Sequence, residues 1–319
     1  MLGSGSDKPQ TQPVTSPDIW QKNRAAIGFM LLAMTAFVFN DMSAKLASEE
    51  LPTGQIILVR GLIATPLIIL IAWWQGAFRQ PSLLLHKTVW LRTLGEVLAT
   101  AMYLTALFNM PFANATAILQ TVPLATTAAA ALILREKVGI RRWLAITIGF
   151  AGVLLIVRPG SDGFTIWSLL ALGAVGALLL RDLSSRVLPP AIPALGITAL
   201  STVAITLLGG VMSLSGDWQP ISLQSYFYLC AAAVLLLSAH YFILYAMRHG
   251  ELSVVAPFRY AIMLWAIVIQ VVVFGLWPDL PTLAGSAILV ATGLYTLYRE
   301  RVVGQEQDTP PIAGHTPYR

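Results

Sequence analysis

The chain has 319 residues, 56% of them hydrophobic and only 11% charged, with a formal net charge of +5 and a mean hydropathy of +0.73. So little polar material cannot cover an apolar core of that size, which excludes an ordinary soluble domain and specifies a polytopic membrane protein. A single cysteine, Cys230, excludes an intrachain disulfide and provides no metal cluster.

Apolar runs near the ~20 residues needed to cross a bilayer follow one another along the chain. They cover 25–46, 53–74, 89–108, 112–134, 141–157, 164–187, 192–213, 225–246, 252–275 and 281–298, which predicts ten transmembrane helices and an all-α membrane fold. None alternates as a barrel strand would. Residues 1–23 and 302–319 are polar and rich in Pro, Gly, Ser and Gln, and are expected as disordered tails. The first apolar run starts too late, and is too long, for a cleaved signal.

Lys22, Arg24, Arg79, Lys87, Arg135, Lys137, Arg141, Arg142, Arg186, Arg248, Arg299 and Arg301 fall in alternate connections. The opposite set carries Glu49, Glu50, Asp162, Asp217 and Asp279, with Arg158 as its clear cation. The positive-inside rule then predicts both termini in the cytoplasm. This asymmetry accounts for the net charge without a nucleic-acid partner.

An internal repeat is the most informative feature. NDMSAKLASEELP from Asn40 matches RDLSSRVLPPAIP from Arg181, setting Asp41 and Lys45 against Asp182 and Arg186 at an offset of 141. GFAGVLLIVR and LVATGLYTLYR keep the same register, pairing Gly152 with Gly293 and Arg158 with Arg299. The predicted units are 24–160 and 161–301, of five helices each; an odd number inverts the second unit in the membrane. Inverted repeats of this kind build secondary transporters, with the solute site near the midplane.

With LVRG in the second span, LQTVPL around Pro123, REKVG with Glu136, and GFAGVLLI in the fifth span, the chain resembles the EamA branch of the drug/metabolite transporter superfamily over nearly all of 24–301. FNDMSAKL and VVAPFRY resemble most the group of S-adenosylmethionine and riboflavin carriers. FGLWPD departs from the pattern, with Trp277 where many relatives have an acidic residue. The resemblance implies helices one to four and six to nine around a central cavity in a bacterial inner membrane, and no cofactor. Gly149, Gly152, Gly285 and Gly293 read as internal packing surfaces, with a homodimer left open.

The polar residues inside apolar helices are the candidate site. Asp41 with Lys45, and Asp182 with Arg186, stand at i, i+4 and are expected to pair within their helices; their inverted positions suit two alternating gates. Thr93, Glu96, Thr100 and Tyr103 form one helical stripe, and Ser238, Tyr241 and Tyr245 another. Gln120, Asn114, Thr121 and Trp265 are weaker members. Arg60 reads as structural or gating. Arg259, between Pro257 and Tyr260, reads as a substrate group with Glu96 as counter-ion, because a cation is costly to hold within a bilayer.

No paired carboxylate, P-loop or nucleophile elbow argues for an enzyme or an ATP-driven pump. The expected function is a secondary carrier for a ring-containing metabolite such as S-adenosylmethionine or riboflavin, with Glu96 as a candidate proton carrier. The alternatives are an exporter of amino acids or drug-like compounds and a non-transporting assembly protein.

Overall fold

The computed structural model describes residues 16–308 apart from 134, 136–138, 160–164, 215 and 217, and side chains from 23 to 298 apart also from 252 and 253. Glu136, Lys137, Asp162 and Asp217, and the side chains of Lys22, Arg299 and Arg301, lie outside the described residues. The helices are α1 (Ser16–Ala47), α2 (Thr53–Trp74), α3 (Lys87–Asn109), α4 (Phe112–Leu119), α5 (Val122–Ile133), α6 (Ile140–Val157), α7 (Ile166–Arg186), α8 (Ala194–Leu214), α9 (Leu223–His249), α10 (Leu252–Val255), α11 (Ala261–Val272) and α12 (Leu280–Asp308). No strand occurs among the described residues. Helix reaches into both stretches expected as tails, since α1 starts at Ser16 and α12 ends at Asp308.

Eight helical segments are long and apolar enough to cross a membrane, α4 and α5 counting as one. Helix α3 is as long but carries Lys87, Arg92 and Glu96, and Ala256–Val272 is a shorter apolar helix. The outer surface is apolar: Leu62, Leu207 and Leu214 are exposed, and Trp74 at the end of α2 is 84% exposed. Such a surface is stable against acyl chains, with tryptophan at the headgroup level.

Two helices break at prolines. The chain turns at Gln120–Thr121 between α4 and α5, just before Pro123, and Ala256–Tyr260 is a 3-10 turn containing Pro257. Proline supplies no N–H and its ring crowds the carbonyl a turn earlier. Within a bilayer such freed groups are tolerated only where they are buried in protein or line a cavity.

Packing is in pairs: α1 on α9, α2 on α8, α3 on α7, α4 on α11 and α6 on α12. Three pairs approach through glycine, α2 and α8 by Gly61 and Gly209. A Cβ on Gly152 of α6 would lie 3.0 Å from the Gly285 carbonyl oxygen of α12, and one on Gly95 of α3 would lie 2.7 Å from the Arg181 backbone nitrogen of α7. Gly149 meets Leu124 and Thr292, and Gly293 meets the Tyr260 ring, so the four glycines read from sequence pack within the chain.

The end where α1 finishes and α2 begins is closed by polar ties. Lys45 Nζ donates to the Leu107 carbonyl of α3 at 2.5 Å and to the Met110 carbonyl just beyond its end at 2.9 Å. The Ser222 and Ser225 hydroxyls each donate to Glu50 at 2.6 Å. Gln55 and the Gln219 backbone bond reciprocally at 2.7 and 3.1 Å, and Arg158 pairs with Asp279. The Ser222 hydroxyl, then that of Ser225, holds the Glu50 carboxyl below its ordinary range. Burial pushes Asp279 up, but hydrogen bonds from Thr282 and Arg158 outweigh it and leave this carboxyl below its ordinary range too.

Candidate functional site

A cavity of about 300 Å³ opens where both helix breaks meet. Helix α1 contributes Asn40 and Asp41, α2 Arg60, α3 Glu96, Thr100 and Tyr103, and α7 Arg181. His240 comes from α9, Gln120 and Pro123 from the first break, and Arg259 and Tyr260 from the second. A smaller chamber of about 120 Å³ adjoins it, sharing Arg60, Glu96, Thr100, Leu236 and His240.

The charges on these walls fall into two neutralised groups and one remainder. Arg60, only 6% exposed, donates to Asn40 Oδ1 at 3.4 Å, and Asn40 in turn donates to Asp41 at 2.8 Å. The Tyr103 hydroxyl donates to the other Asp41 oxygen at 2.7 Å. In the second group Arg181 bonds Asp182 at 2.8 Å and Glu96 at 3.4 Å, and Arg92 stands 3.6 Å from Glu96. Four guanidiniums thus face three carboxylates. The remainder is Arg259, which is exposed on the cavity lining and makes no hydrogen bond or ion pair with any described residue.

Helical breaks around a cavity lined by charged and polar side chains are an architecture of solute carriers, and comparison with known proteins agrees. The description "EamA-like transporter family" matches residues 24–158. A riboflavin transporter of Vibrio cholerae is 30% identical over 82% of this chain and 89% of its own. The chain belongs to the EamA-like transporter family. Other similar proteins are an S-adenosylmethionine uptake transporter of Rickettsia conorii, 23% identical over 86% of this chain and 93% of its own, and a pseudopaline exporter of Pseudomonas aeruginosa, 26% identical over 82% and 93%. A solved crystal structure superposes with a TM-score of 0.60 at 17% identity over 86% of this chain and 98% of its own, a likeness of fold.

In this EamA-like transporter, Arg259, Tyr260, Glu96, Thr100, Tyr103, Gln120, Asp41 and Arg60 share the cavity. Three pairings expected from the sequence are replaced. Asp41 turns to Tyr103 and Asn40, and Lys45 to the carbonyls ending α3, so the two do not pair. Asp182 is held by the adjacent Arg181, while Arg186 lies exposed at the end of α7. Glu96 faces Arg92 and Arg181, leaving Arg259 without that counter-ion.

Three aromatic walls also lie elsewhere. Tyr241 is 62% exposed, Tyr245 packs between Phe29 and His249 with centroids 4.1 and 4.0 Å away, and Trp265 faces Phe39. The cause is the rotation of α9, which turns Leu236 and His240 toward the cavity and so directs the 238, 241, 245 stripe away. Asn40, Arg92, Arg181 and His240 were missed as site residues. Their signal was available: each is an ionisable or amide side chain in an apolar helix, and Asn40 and Arg181 head the two repeat motifs.

Proposed function

We propose that the protein is a secondary carrier that moves a small metabolite by alternating access, and that Arg259 binds an acceptor-rich or anionic edge of a flat, ring-containing solute. The observation carrying this reading is the exposed Arg259 guanidinium, which makes no hydrogen bond or ion pair with a described residue and feels Asp182 only at a distance, in a cavity where the other charges are in direct contact with partners. A fork of donors left free in a wet pocket is set for a bidentate acceptor such as a carboxylate or an imide-type pair of carbonyls. One surplus positive charge disfavours a cationic solute such as S-adenosylmethionine and favours a neutral or anionic one, of which riboflavin is the example among the relatives' substrates.

Alternating access is supported by the packing. Ten spans divide into two sets of five, and exchanging the sets turns the α1 and α9 contact into that of α7 and α3, while the other three pairings map onto themselves. Thr65 and Thr206, repeat mates 141 apart, meet at 2.9 Å, as residues on a two-fold axis must. Charge asymmetry supports both termini in the cytoplasm, and on that orientation the tied end is the outer one. The pseudopaline exporter among the relatives favours, as a second reading, outward transport of a carboxylate-bearing compound held by the same arginine.

The test is counterflow of labelled riboflavin and a panel of carboxylates into proteoliposomes with Arg259→Lys. The lysine keeps the charge and loses the fork, so KM should rise about tenfold, the worth of one charge-assisted hydrogen bond, at unchanged thermal stability. Transport equal to wild type would remove Arg259 from the binding site.

A further inference from the structure

We infer that the smaller chamber beside the main cavity is a subsite for an uncharged, hydroxyl-rich appendage of the solute, a short polyol or sugar; this rests on the carrier reading above. The chamber is lined by Arg92, Glu96, Thr198, Ser201, Thr202 and His240 among others, and its polar atoms have a common bias. Thr198 donates its hydroxyl hydrogen to the Ala194 carbonyl at 3.0 Å and Thr202 to the Thr198 carbonyl at 2.8 Å, so both oxygens keep acceptor lone pairs. His240 Nδ1 lies 2.8 Å from the Leu236 carbonyl, which can only accept. The proton is therefore on Nδ1, and Nε2 of the neutral ring is a further acceptor. Of the two strong donors at this wall, Arg92 is engaged with Ser201 at 3.2 Å and with Glu96, and Arg60 with Asn40 at 3.4 Å.

An acceptor-rich chamber needs a donor-rich guest, which leaves ammonium groups and hydroxyls. Charge decides between them. Arg60, Arg92 and Glu96 on the chamber wall belong to the neutralised groups, and the surplus charge of the adjoining cavity is the positive one of Arg259, so an ammonium is repelled, whereas hydroxyls are indifferent to it. The chamber is also much smaller than the main cavity, about 120 against 300 Å³, which suits a narrow chain and not a second ring system. Because Arg60, Glu96, Thr100, Leu236 and His240 line both spaces, a ring beside Arg259 and a tail beside Thr202 can belong to one molecule. The solute is thereby oriented, acceptor edge to Arg259 and hydroxyls to α8.

The test measures binding to the purified full chain in nanodiscs, using riboflavin and lumiflavin, which share the isoalloxazine ring system and differ in that a methyl group replaces the polyhydroxy chain. Wild type should bind riboflavin about tenfold more tightly, as one or two neutral hydrogen bonds would give. Thr202→Leu fills the chamber and should bring riboflavin to the lumiflavin level while leaving lumiflavin unchanged. The isosteric Thr198→Val, which removes an acceptor without changing volume, should lower the ratio about threefold and decides the matter if the leucine variant does not fold. Equal wild-type affinities, or variants that weaken both compounds alike, overturn the subsite. If neither compound binds wild type, the ring-carrier reading falls and the subsite with it. If the ratio behaves as expected but Arg259→Lys binds both normally, the subsite stands and the role of Arg259 is wrong.

Discussion

At the scale of single residues, the chemistry was legible and the partnerships were not. A charged or amide group in an apolar helix announces itself, but helical spacing only suggests partners on the same helix. The observed ones come from elsewhere: Tyr103 reaches Asp41 across 62 residues and Arg181 reaches Glu96 across 85. This redirects the expectation for Glu96. Two guanidiniums flank its carboxylate, so it ties α3 to α7 and is poorly placed as a lone proton carrier. Glu96→Gln should lower the melting temperature, because it leaves two cations facing each other, while the pH profile of counterflow keeps its wild-type shape. A profile displaced along the pH axis would restore Glu96 as a coupling group. Tyr103→Phe removes one hydrogen bond to Asp41 and should cost about 1.5–3 kcal/mol in thermal or denaturant stability, the value of a bond to a charged acceptor.

At the scale of elements, the helices and their breaks follow from sequence because proline and apolar run length act locally; rotation about a helix axis does not. The stripe on α9 was a true face pointing the wrong way, since its direction depends on the neighbours α1 and α10 supply. Close packing shows the same dependence. Gly95 is unremarkable in the sequence, yet a Cβ there would meet the Arg181 backbone at 2.7 Å, which no rotamer change can relieve. Gly95→Ala should therefore part α3 from α7 at a cost of about 1–3 kcal/mol, and raise KM by misplacing Glu96 and Arg181. Differential melting combined with counterflow kinetics would check both effects. The tied end offers a pH test. Glu50 and Asp279 have depressed folded-state values, so their stabilisation is present above the ordinary carboxylate pKa of about 4 and lost as pH falls through the depressed values. The melting-temperature gap between wild type and Glu50→Gln should be constant from pH 7 to about 5 and close under stronger acid. A gap that closes near neutrality would mean that another group controls this end.

At the scale of the whole molecule, the repeat in the sequence keeps one register, setting Asp41 against Asp182 and Arg158 against Arg299 even where most side chains have diverged. What diverged is the site itself: in this register Arg259 falls against Ile118 and Glu96 against Leu237, so the cavity is one-sided even on the two-fold arrangement proposed above. That separation yields a mechanical prediction. If the repeats exchange conformations during transport, contacts on the symmetry axis persist through the cycle and contacts off the axis must alternate. Thr65 and Thr206 are axial, 2.9 Å apart, whereas the Glu50 to Ser225 bond at 2.6 Å joins α1's end to α9 away from the axis. In a Cys230→Ser background, a disulfide between Thr65→Cys and Thr206→Cys should leave counterflow near the wild-type rate. Joining Glu50→Cys to Ser225→Cys with a short bifunctional thiol reagent should abolish it, and reagent cleavage should restore it. Transport that survives the second link, or is stopped by the first, would show that the two repeats do not trade places about the α2 and α8 axis.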